Sequence, residues 1–66
     1  MITLDDVLKL HDHGYKYISA RSEEDMVILE NIAKQLIELG YHIDFNENDR
    51  ENITGKRYLR SFRFVK

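Results

Sequence analysis

From Ser22 to Leu39 the chain repeats apolar residues with a helical period. At about 100° per residue, Ile28, Leu39, Ile32, Leu36, Leu29, Ala33, Met26 and Ile37 fall within roughly half the circumference. Glu30, Asn31, Lys34, Gln35 and Glu38 fill most of the other half, and only Val27 breaks the pattern. Such a wide apolar face predicts a long helix over about 22–39, covered by a sheet and also by a second helix or a partner. Its ends are punctuated. Ser22 is an N-cap residue, Glu23, Glu24 and Asp25 place negative charge on the first turn, and Gly40 can take the left-handed conformation that ends a helix.

Around this helix the pattern predicts shorter elements. Thr3-Leu4-Asp5-Asp6 has capping-box spacing, with Ile2 placed to staple onto Val7, so a helix of about ten residues starts there and stops at Gly14. Tyr15 to Ala20 is aromatic and β-branched and reads as a strand. Tyr41 to Phe45 alternates, with Tyr41, Ile43 and Phe45 facing one way and His42 and Asp44 the other. The polar stretch Asn46 to Gly55 has the residues of a hairpin connection but is long for one, so part of it extends strands or is mobile. Lys56 to Val65 reads as one last strand, with Tyr58, Arg60, Phe62 and Phe64 on one face and Leu59, Ser61, Arg63 and Val65 on the other.

The expected fold is therefore α+β in the order α-β-α-β-β: a small three-stranded sheet packed on one long amphipathic helix (about 22–39), with a short N-terminal helix. Strand, long helix, strand is a right-handed crossover, and the last strand returns antiparallel. Apolar groups on both its faces favour the central position, between the first two strands.

Sixty-six residues allow one domain, 1–66, that is marginal without help. There is no cysteine, which removes disulfides and thiolate metal sites. The N-terminus reads acidic with no apolar run after it, and no stretch approaches the ~20 apolar residues of a membrane span, so a cytoplasmic domain without a membrane role is expected.

The formal net charge of -2 hides an asymmetry. Residues 1–55 carry all 12 acidic side chains against five basic ones, whereas residues 56–66 carry Lys56, Arg57, Arg60, Arg63 and Lys66 and no acid. Such segregation suggests a basic patch that meets a polyanion or an acidic protein surface. The plainer reading is a basic edge strand that pairs with the molecule's own carboxylates.

Chemistry-bearing clusters are few. His11-Asp12-His13 combines two imidazoles with a carboxylate, but on an intact helix the two histidines point about 200° apart and cannot share one ion. Asp44-Phe45-Asn46-Glu47-Asn48 starts like a calcium loop, yet Asp49 stands where glycine is needed and Gly55 where the bidentate glutamate is needed. No metal and no cofactor are expected. No glycine-rich phosphate loop is present, nor a nucleophile with a recognisable base beside it, so no catalysis is expected.

Arg60-Ser61-Phe62-Arg63-Phe64-Val65 resembles the first conserved strand signature of the RNA recognition motif, basic-Gly-aromatic-Gly-aromatic-Val. The β-α-β-β order from Tyr15 onward matches the first part of that fold. The resemblance implies that Phe62 and Phe64 stack bases on an open sheet. Ser61 and Arg63 replace the two glycines, the second helix and fourth strand are missing, and an extra helix precedes the match.

The residues expected to bind are Arg57, Tyr58, Arg60, Phe62, Arg63 and Lys66, an arginine-aromatic set suited to protein hot spots and to phosphate contact with stacking alike. The leading expectation is a non-catalytic protein-binding accessory or inhibitor. In size and charge the chain resembles the accessory and anti-defence proteins of bacterial viruses and mobile elements. The alternative is single-stranded nucleic-acid binding through the C-terminal strand. A homodimer is compatible with either.

Overall fold

The computed structural model describes residues 1–65, so the binding expectation for Lys66 lies outside the described residues. Helix α1 spans Leu4–Asp12, strand β1 Tyr17–Ser19, helix α2 Glu23–Glu38 and strand β2 His42–Asp44. A 3₁₀ turn at Glu47–Asp49 leads into β3 (Arg50–Ile53), β4 (Lys56–Leu59) and β5 (Ser61–Val65). The architecture is α+β, with a three-stranded sheet packed on a long helix.

Both helices are terminated by the same local chemistry. At α1, Thr3 Oγ1 accepts the Asp6 N–H and Asp6 Oδ2 accepts the Thr3 N–H, a complete capping box. At α2, Ser22 Oγ accepts the Asp25 N–H at 3.1 Å. Each C-terminus closes in a Schellman motif. Gly14 and Gly40 adopt positive φ, and the N–H groups of Tyr15 and Tyr41 reach back to the carbonyls of Leu10 and Leu36 at 3.0 Å.

The three-stranded sheet has the order β1-β5-β2, with β5 antiparallel to both neighbours. The last strand therefore takes the central place that its two apolar faces suggested. Ile18, Phe62 and Phe64 of this sheet pack with Leu29, Ile32, Ala33 and Leu36 of α2. Val7 of α1 is fully buried in the same cluster, and His11 stacks on Phe64, so α1 lies on the same side of the sheet as α2. Among the described residues no helix covers the opposite face.

The C-terminal segment departs from the single strand expected over Lys56 to Val65. It turns at Arg60, and the polar stretch before it supplies β3, which pairs with β4 as a separate hairpin. Arg60 lies between β4 and β5 and ties the two sheets together: its N–H bonds Asp49 O at 2.6 Å, and its carbonyl accepts the Ala20 N–H at 2.8 Å. A strand that changes sheets bends at the corner and loses its alternation there. Leu59 and Phe62, three apart, both enter the core. The expected face of Tyr58, Arg60, Phe62 and Phe64 is thus broken, with Leu59 taking the place assigned to Tyr58 and Arg60.

The apolar face of α2 is covered over less of its width than its sequence pattern suggests. Met26, Leu29, Ile32, Ala33 and Leu36 are buried, but Ile37 is 54% exposed and Leu39 61%. Ile37 sits at the angular edge of the stripe, and Leu39 is the C-cap, beyond the last helical turn.

Candidate protein-binding surface

The three arginines of the C-terminal segment do not form one free cationic track. Arg57 Nη1 meets Glu47 Oε1 at 2.6 Å, and its Nη2 donates to the Glu47 carbonyl at 2.8 Å. Arg60 Nη1 pairs with Glu51 Oε1 at 2.9 Å, and Arg63 Nη2 with Asp44 Oδ2 at 3.0 Å. Exposed pairs of this kind contribute little to stability, on the order of 0–1 kcal/mol each. Their consequence is electrostatic: each arginine carries its own counter-ion, which weakens the field any polyanion would meet. Segregation along the sequence has become pairing in space.

The aromatic members are divided by depth. Phe62 is fully buried and Phe64 nearly so, both beneath the helices. Neither ring presents an open face for stacking a base, so the structure gives no support to the binding role expected of Phe62. The physical reason is the alternation of β5: Phe62 and Phe64 share the inner face with Ile18 and Ile43, leaving Arg63 and Val65 outside. Tyr58 is half-buried on the hairpin, facing Glu51 across the strand pair.

The helix-free face of the sheet carries a different set. Tyr17, Arg63 and Asp44 are register partners and form one row across β1, β5 and β2. Tyr17 Oη lies 3.1 Å from Ser61 Oγ, which pins the ring over the buried serine while leaving the residue 58% exposed. Val65, 42% exposed, stands opposite His42. Of the expected binding residues, only Arg63 belongs to this row. Tyr17 was missed, although the sequence held its signal: Ile18 is the apolar residue of β1 that must face inward, and period two then turns Tyr17 outward. Asp44 needed the strand order before it could be placed beside Arg63.

Two of the three histidines have local partners, although the buried His11 Nδ1 has no hydrogen-bond partner among the described residues. His13 Nδ1 lies 2.7 Å from the Lys9 carbonyl at the end of α1. The His11 ring stacks on Phe64 with centroids 4.2 Å apart and meets Tyr41 edge-on at 5.7 Å. The two imidazoles therefore have separate partners. In the calcium-like stretch, Asn46 caps the 3₁₀ turn and the Glu47 carboxylate is held by Arg57. Among the described residues no group of three His, Asp or Glu side chains could hold a metal ion, and no helix is long and apolar enough to cross a membrane. Compared with family models, curated proteins and solved structures, the chain matches none.

Proposed function

We propose that this chain is a non-catalytic protein-binding module, an accessory or inhibitor that meets its partner on the helix-free face of the three-stranded sheet. The observation that carries this reading is the Tyr17–Arg63–Asp44 row, where an exposed aromatic ring lies beside a charge-compensated arginine. Tyrosine and arginine are the side chains most enriched where proteins bind each other, since each combines apolar area with directed polar groups. The row stands on three paired strands, so it is held in place before any partner arrives and little ordering cost remains to be met.

Single-stranded nucleic acid is the competing ligand, because an open sheet with an exposed ring is also a stacking platform. Against it stand the pairing of Arg57, Arg60 and Arg63 with carboxylates and the burial of Phe62 and Phe64. A non-catalytic role is supported by the commitment of His13 and Ser61 to local hydrogen bonds.

The test has two arms. Fluorescent single-stranded DNA and RNA are titrated across a salt series, and no binding is expected even at low salt. Micromolar binding that weakens steeply with salt would transfer the open face to nucleic acid. In parallel, proteins captured by the intact chain are compared with those captured by Tyr17→Asp. The reading requires a partner that the wild type retains and this surface variant loses.

A further inference from the structure

We draw no further inference here: the strongest candidate, the exposed apolar patch of Ile37 and Leu39 at the C-terminal end of α2, is an unpartnered face, and nothing in the structure shows what covers it.

Discussion

Glu30 on α2 holds Arg50 on β3 through a 3.1 Å ion pair, and the same carboxylate oxygen accepts the backbone N–H of Leu59 at 3.1 Å. Both side chains are largely buried, at 16% and 18% exposure. One acid on the polar half of the helix thus fastens the β3–β4 hairpin and satisfies a strand amide beside the fully buried Leu59 side chain. Arg50 also lies over the Phe45 ring, its guanidinium carbon 5.1 Å from the centroid.

Replacing Glu30 by Ala leaves the interior Leu59 N–H without its acceptor and the shielded Arg50 guanidinium with only the longer contacts to the Arg57 carbonyl and Glu47, and the expected loss is about 2–3 kcal/mol. Glu30→Gln keeps an acceptor for Leu59 and removes only the charge, so a loss nearer 1 kcal/mol is expected. Urea denaturation of the two variants checks the order. Equal losses would mean that the charge, and not the backbone bond, ties the hairpin to the helix.

At the tip of that hairpin, Thr54 has φ 49° and Gly55 φ 82°, with Ile53 and Lys56 paired across the two-residue loop. Two consecutive positive φ values define a type I′ turn, for which Asn-Gly is the favoured pair. A β-branched residue is strained in this region. Thr54→Asn should therefore stabilise the protein by about 0.5–1 kcal/mol, a rise of several degrees in Tm for a chain of this size. An unchanged or lower Tm in a thermal melt would show that the bond from Thr54 Oγ1 to the Ile53 carbonyl offsets the strain.

Much of this fold is legible in the residues. The spacing of Leu29, Ile32, Ala33 and Leu36 locates α2, and Thr3, Ser22, Gly14 and Gly40 mark where helices begin and end. Local chemistry writes these signals, so sequence carries them. The central position of β5 is legible as well, because Phe62 and Phe64 face inward while Val65 adds apolar surface on the other side. What could not be read was the corner at Arg60. Lys56 to Val65 looks like one alternating strand, and only the tertiary partners Asp49 and Ala20 bend it. That one bend exchanges Leu59 for Tyr58 in the core and spoils the expected aromatic face. Nor could sequence show that Glu47, Glu51 and Asp44 would each find an arginine, since these pairs are between 9 and 19 residues apart.

The narrowed apolar stripe of α2 yields a paired prediction. Leu36 is fully buried, while its neighbour Ile37 is 54% exposed. Leu36→Ala should cost about 2–5 kcal/mol, because it removes buried methyl groups and leaves a cavity. Ile37→Ala should change stability by less than about 0.5 kcal/mol, as surface substitutions generally do. Guanidinium or urea midpoints for both variants provide the comparison. A large loss at Ile37 would mean that its surface is covered in solution, and the covering contact would then be the first thing to locate.

The two arginines on either side of Ser61 separate the binding face from the sheet corner. Arg63 belongs to the Tyr17–Arg63–Asp44 row, while Arg60 sits at the junction of the two sheets and pairs with Glu51. If the open face receives a protein partner, Arg63→Ala should weaken capture by about 1–2 kcal/mol, roughly 5- to 30-fold, as expected for an interface arginine. Arg60→Ala should change it by less than about twofold, since a peripheral charge contributes little once a complex has formed. Both side chains are exposed, at 59% and 63%, so neither substitution should disturb folding and the comparison reports on binding alone. Equal losses at both positions would require a partner that wraps around the corner onto the hairpin. A loss at Arg60 alone would move the interface off the sheet face altogether, toward Glu51 and the β3–β4 pair.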